Sequence, residues 1–171
     1  MTQIPAQILG CMSLINALPC WKVGVGDSVG SSFRLAFGRK LSRLVPRMVE
    51  HRIIQEYQDY GEATLLVWCA WRLDSESRPL TSSDDAAEGI ERGLSELVGA
   101  TVEGVEVLVP AWDLNVSFSN KLHLKVFCDH VPGDPSIEVN WELFRDDVSL
   151  HVGPGAKYKV EKPEALAMLP G

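Results

Sequence analysis

The sequence predicts an α+β fold in which an antiparallel sheet carries helices packed on one face. Three observations predict it. From residue 102 onward apolar and polar residues alternate, the period of strands with one buried and one wet face. Residues 46–59 and 84–98 carry apolar side chains at helical spacing. The 171 residues, 46% of them hydrophobic and 23% charged, suffice for a single domain over 1–171 with a core that needs no metal or disulfide.

The elements follow in order. Residues 4–17 read as a helix, with Pro5 in its first turn and Ile8, Met12 and Ile15 on one side. Strands are expected at 21–25 and 33–37, flanking a glycine-rich turn at 27–30. Residues 46–59 read as a helix because Val49, Ile53, Tyr57 and Tyr60 recur at helical spacing after Pro46. The near-continuous apolar run 62–73 predicts a strand covered on both faces. A polar loop spans 74–83, and a helix over 84–98 follows, capped by Ser83 and closed by Gly99. Five alternating strands then end near 109, 118, 128, 143 and 152, with Ser119-Asn120-Lys121 as a hairpin turn and 155–171 as a tail.

An internal echo divides the chain into two β-units, 21–74 and 103–153. Phe33 to Leu41 aligns with Leu114 to Leu122 at an offset of 81, and Trp71-Arg72-Leu73 with Trp141-Glu142-Leu143 at an offset of 70. The first unit therefore carries 11 extra residues, near the segment read as helical.

Charge and motifs limit the function. The net charge of −7 disfavours general nucleic-acid binding, which rewards cationic surfaces. No apolar run is long enough for a membrane span. Cys11, Cys20, Cys69 and Cys128 form no Cys-x-x-Cys pair and read as reduced thiols of a cytoplasmic protein. The basic stretch Arg34, Arg39, Lys40, Arg43, Arg47 and Arg52 is expected to be a solvated face pairing with the acidic second half, since only Phe37 interrupts it as an aromatic. Gly24 to Gly30 fits neither phosphate-loop pattern. Cys128 and His130 share a strand face and are the candidate metal ligands, but Asp129 between them points away; no metal and no cofactor are expected. No serine sits in Gly-x-Ser-x-Gly, so a hydrolytic site is not apparent. Trp68 and Trp71, three apart, must face opposite sides of a regular strand.

The candidate binding residues are Glu106, Trp112, Asp113, Glu138 and Glu142, whose carboxylates the alternation turns outward. Trp112-Asp113-Leu114, Val116, Phe118, Leu122, Leu124, Val126 to Asp129, and Asn140 to Leu143 resemble small uncharacterised bacterial proteins, some similar to immunity proteins of polymorphic toxin systems. That resemblance, over about 102–153, implies an acidic cytosolic α+β protein that works by binding and brings no catalytic residues. The expected function is thus non-enzymatic binding of a protein with a cationic surface, with a homodimer left open. The alternative is a small-molecule-binding or hydrolytic enzyme with an unrecognised site.

Overall fold

The computed structural model describes residues 3–26, 31–136 and 138–162. Among them are helices α1 (Ala6–Ser13) and α2 (Ala87–Ser95). The strands of the first half are β1 (Cys20–Val25), β2 (Phe33–Val49), β3 (Arg52–Val67), β4 (Ala70–Asp74) and β5 (Pro79–Ser82). Those of the second are β6 (Val102–Leu108), β7 (Asp113–Phe118), β8 (His123–Phe127), β9 (Trp141–Arg145), β10 (Ser149–Gly153) and β11 (Lys157–Glu161). They form two antiparallel sheets. Sheet I has the order β1-β2-β3-β9-β10-β11 and sheet II the order β5-β4-β8-β7-β6.

Both sheets bury one face in a common core. Phe33, Leu35, Phe37, Leu65, Trp141 and Leu143 come from sheet I, and Trp71, Leu73, Val116, Phe118, Leu124 and Val126 from sheet II. Phe33 meets Trp71 edge to face at 4.8 Å, and the Trp141 indole N–H crosses to donate to the Trp112 carbonyl at 3.0 Å. Each indole thus fills core volume while satisfying its one donor.

The two halves follow one plan. Each runs helix, three-stranded meander in one sheet, then strands in the other sheet. Ile8, Met12 and Ile15 are buried on α1 and its C-terminal turn; Ile90, Leu94 and Leu97 are buried at the corresponding places on α2 and its C-terminal turn. Ala17 N–H donates to the Val102 carbonyl and Gly99 N–H to the Cys20 carbonyl; Val102 N–H donates to Leu18 and Cys20 N–H to Ala100. Pro19 and Thr101 bridge each other at the centre of this exchange, on an approximate two-fold axis. Both β1 and β6 carry an irregularity after their first residue, at Cys20/Lys22 and Val102/Gly104.

The largest departure from the sequence reading is 46–59. It is no helix: β2 and β3 pair from Phe33↔Val67 out to Val49↔Arg52, so the segment is the far end of a two-stranded ribbon, here called the arm. Helical spacing and a strand's face cannot be told apart when the residues are exposed, and Ile53, Ile54 and Tyr57 are good strand formers. The equivalent hairpin between β7 and β8 is only a turn, with Lys121 at φ 65°.

Other expectations are corrected in detail. The helices do not cover one sheet face; α2 lies against β1 and β5, and α1 against β6. The helix expected at 84–98 is shorter, because Ser83 N–H still bonds the Trp71 carbonyl and Asp85 is tied to Thr81 and Ser82. The run 62–73 is two strands, with Trp68 and Cys69 N–H groups both donating to Asn140 where the chain changes sheets. Its buried residues are Ala63, Leu65, Val67, Cys69, Trp71 and Leu73, so one face is covered and Trp68 faces out. The loop 74–83 contains β5, and the tail contains β11. The strand expected from Ile137 starts at Trp141; Ile137, like 27–30 and 163–171, lies outside the described residues.

On the outer face of sheet II, Arg72 Nε and Lys125 Nζ reach the two oxygens of the buried Asp74 at 2.7 and 3.0 Å. The Arg72 hydrogen bond, aided by Lys125 and opposed by desolvation, holds the Asp74 carboxyl below its ordinary range. A depressed folded pKa contributes stability that is present above about pH 4 and lost as pH falls through the lower folded value. Asp74→Asn should therefore flatten the acid limb of the stability curve below about pH 4, measured by urea melts across pH.

The paired helix ends yield a second expectation. Ala17 and Gly99 both hold left-handed backbone, with φ 63° and 88°. Gly99→Ala should lower stability by about 1–2 kcal/mol, and Ala17→Gly should raise it by about 1 at most, in denaturant melts.

Candidate functional site

The arm leaves sheet I at two glycines. Gly38 has φ 74°, and a Cβ on Gly61 would stand 2.7–2.9 Å from backbone atoms of Ala63 and Phe37. Register shifts between Phe37 and Lys40, and beyond it the ribbon leaves the body of the sheet. Three ion pairs brace the ribbon across its strands: Arg39–Glu62 at 3.4 Å, Lys40–Asp59 at 2.9 Å and Arg47–Glu56 at 2.9 Å. Three of the six cations of the basic stretch thus pair within the arm, and among the described residues none pairs with the acidic second half. Local cross-strand register, invisible in sequence, decided the partners.

Between the arm's base and the outer face of sheet I lies a cleft of about 570 Å³. Lys22, Arg34, Arg43, Tyr60, Phe144 and Arg145 line it, with Asp59 and Asp146. Arg43 stacks over Tyr60 at 4.9 Å. Asp59 is already engaged by Lys40 and Ser42, which hold its carboxyl below the ordinary range. Four cations therefore face two carboxylates, one of them spent.

Beside the cleft runs a polar row. Glu142 and His151 are cross-strand partners in β9 and β10. Glu142 Oε1 lies 2.6 Å from His151 Nδ1, and Ser149 Oγ lies 3.2 Å from His151 Nε2. The Trp68 indole N–H donates to Glu142 Oε2 at 3.0 Å. With the proton on Nδ1, this is the serine–imidazole–carboxylate order of a hydrolytic triad. Yet Glu161 Oε2 stands 3.4 Å from the same Nε2, and Ser149 is buried between β9 and β11. A hydrolytic base needs that outer nitrogen free for the serine proton.

The predicted site residues are not brought together. Glu142 lies in this row on sheet I. Glu106 is exposed on β6 of sheet II, where Asn115 Nδ2 donates to it at 3.3 Å. Glu138 is exposed in the segment before β9. Trp112 is buried, its indole N–H donating to the Ala156 carbonyl at 3.0 Å. Asp113 accepts the Cys128 backbone N–H at 2.7 Å and so braces the end of β8. Ser149, Lys22 and Arg145 carry no signal in the sequence, and His151, which could have joined Cys128 and His130 as a metal ligand from a neighbouring strand, bonds Glu142 and Ser149 instead. The Ser149-x-His151 spacing was readable as one strand face, but Glu142 became its partner only through register.

The thiols are structural. Burial pushes Cys20 up to about 12, and the neighbouring Cys128 together with burial holds Cys69 well above its ordinary range. Protonated buried thiols are poor nucleophiles and poor metal ligands. The Cys128 thiol donates to the Trp112 carbonyl at 3.5 Å, and His130 Nδ1 is buried without a hydrogen-bond partner among the described residues. Among those residues no three His, Cys, Asp or Glu side chains group so as to hold a metal ion, and no helix is long and apolar enough to cross a membrane. No protein-family model, no curated protein and no solved structure matches the chain.

Proposed function

We propose that the chain is a non-enzymatic binding protein that engages a protein partner through the arm. One observation carries this reading. Directly opposed residues on a ribbon share a face, so the pairs Leu44↔Tyr57 and Met48↔Ile53 lie on one side of the arm. They are 53%, 72%, 67% and 68% exposed. A contiguous apolar stripe on a projecting element contributes nothing to the core, and such patches mark interaction sites. Arg52, beside the turn at the tip of the arm, has no ion-pair carboxylate among the described residues, so the fitting partner presents an apolar groove with a carboxylate at its end. An immunity-like role is the form of this reading that the resemblance over 102–153 implies. The common plan of the halves supports reading the β-units 21–74 and 103–153 as copies of one unit, the arm being an elaboration of the first.

A cationic partner, which the net charge of −7 favours, would instead use Glu106 and Glu138. A photo-crosslinker placed at Ile53 or at Glu106 separates the two. The arm reading expects a heterologous adduct from position 53 that is lost in Leu44→Ser/Tyr57→Ser and weakened by Arg52→Glu, with melting unchanged. An adduct from position 106 alone overturns it, as does an adduct of twice the chain's own mass, which would make the occupant a second copy.

The Glu142–His151–Ser149 row favours a second reading, a serine hydrolase. A fluorophosphonate probe tests it. The binding reading expects no adduct on Ser149; an adduct on Ser149 that disappears in His151→Gln would establish the hydrolase.

A further inference from the structure

We propose that the cleft at the base of the arm binds a small organic anion, a carboxylate or phosphate monoester carried on a flat ring. The cleft is separate from the apolar stripe. Arg43 pairs with Gln58 and Tyr60 with Leu41, which alternation places on the ribbon face opposite to Leu44 and Tyr57.

Charge is the first argument. Lys22 from β1, Arg34 from β2, Arg43 from the arm and Arg145 from β9 converge on one cavity of about 570 Å³. Among the described residues, Lys22, Arg34 and Arg43 have no carboxylate at ion-pair distance, and Arg145 Nε has Asp147 at 3.2 Å. Several cations elsewhere are matched by carboxylates of the chain. Arg39, Lys40 and Arg47 are matched on the arm, and Arg72 and Lys125 share Asp74 on sheet II. The cavity of about 660 Å³ on the outer face of sheet II, lined by Arg72, Asp74 and Lys125, therefore has its cations matched by a carboxylate of its own. Asn115, which takes the place in β7 that Arg34 takes in β2, binds Glu106 there. Convergent positive charge left unmatched in a chain of net charge −7 is a place for an anion.

Shape and chemistry supply the rest. The volume falls within the roughly 300–1,000 Å³ of small-molecule pockets. Tyr60 and Phe144 offer ring walls, and Arg43 lies on Tyr60 at 4.9 Å, which fixes the plane of its guanidinium. Arg34 is placed by Gly24, its cross-strand partner: a Cβ there would stand 2.6 Å from Arg34 Nε and 3.0 Å from its Cγ. Glycine at 24 thus lets the Arg34 side chain lie across β1. Planar guanidinium forks favour carboxylate and phosphate oxygens, and the rings favour an aromatic body.

Titration calorimetry with phenyl phosphate, benzoate, inorganic phosphate and benzyl alcohol tests the site. Phenyl phosphate or benzoate should bind at least about tenfold more tightly than inorganic phosphate or benzyl alcohol, and more weakly as salt is raised. Whichever of the two is tighter identifies the anion class. Arg34→Gln and Arg43→Gln should each weaken binding about tenfold, and Arg34→Lys less. Gly24→Val, or Gly24→Ala should the valine variant melt early, should weaken it while removing no charge. Tyr57→Ser, on the other ribbon face, should leave it unchanged. The proposal is overturned if neither aromatic anion binds at about 10 mM, or if both bind the Arg34→Gln/Arg43→Gln variant as they bind the native chain.

Discussion

Neither sheet can bury its apolar face alone, and the rest of the molecule follows from that constraint. A sheet with strict period-two burial needs a cover of matching width. Sheets I and II supply it for each other, with Trp71 against Phe33 and the Trp141 indole bonded across to Trp112. The helices then take the remaining open places, α1 beside β6 and α2 beside β1 and β5. Because both cores are one core, the chain must change sheets within each half. Those changes are tied together, Trp68 and Cys69 bonding to Asn140, and Asn140 to Val152.

The near-symmetry of the halves explains where freedom remains. Residues at the shared axis, such as Pro19 and Thr101, serve both halves at once and leave little room for change. The hairpins farthest from the axis serve only one half. One of them stays a turn at Ser119-Asn120-Lys121, while its equivalent extends into the arm. Ion pairs across the ribbon, worth little singly at exposed sites, add register there where no core can. The arm is therefore an element the fold tolerates without requiring, which is why its apolar residues call for a use outside the fold.

Much of this fold was legible and some was not, for one physical reason. Strands 105–109, 114–118 and 148–152 announced themselves because a buried face enforces alternation. The arm has no buried face, so Val49, Ile53, Tyr57 and Tyr60 could satisfy a helical spacing by accident. β5, four residues opened by Pro79, and β11, with Lys157, Tyr158 and Lys159, are edge strands whose burial is too slight to pattern them. The offsets of 81 and 70 agree with the common plan of the halves, but their difference is a net one: Leu35 and its partner Leu65 are 30 apart against 8 for Val116 and Leu124, so the arm adds 22 residues, half of them offset by the longer segment before β9. Of the candidate site, Arg34 and Arg43 were seen as part of a basic stretch. Their convergence with Lys22 and Arg145 is a matter of strand order, which spacing along the chain does not encode.

Net charge is the weaker guide here, and distance explains why. At physiological salt an exposed charge is felt over about 8 Å. A partner or ligand therefore meets the local arrangement and not the sum. The carboxylates expected to meet a cationic partner lie apart: Glu106 on sheet II, Glu138 before β9, and Glu142 turned to Trp68 and His151. Asp59, Glu56 and Glu62 are answered within the arm. The cations of the cleft, fewer in number, stand around a single cavity where their fields add and where sheet and arm exclude part of the solvent. An acidic chain can thus gather cations in one positive site, and the arm that bears the apolar stripe also forms one wall of that site.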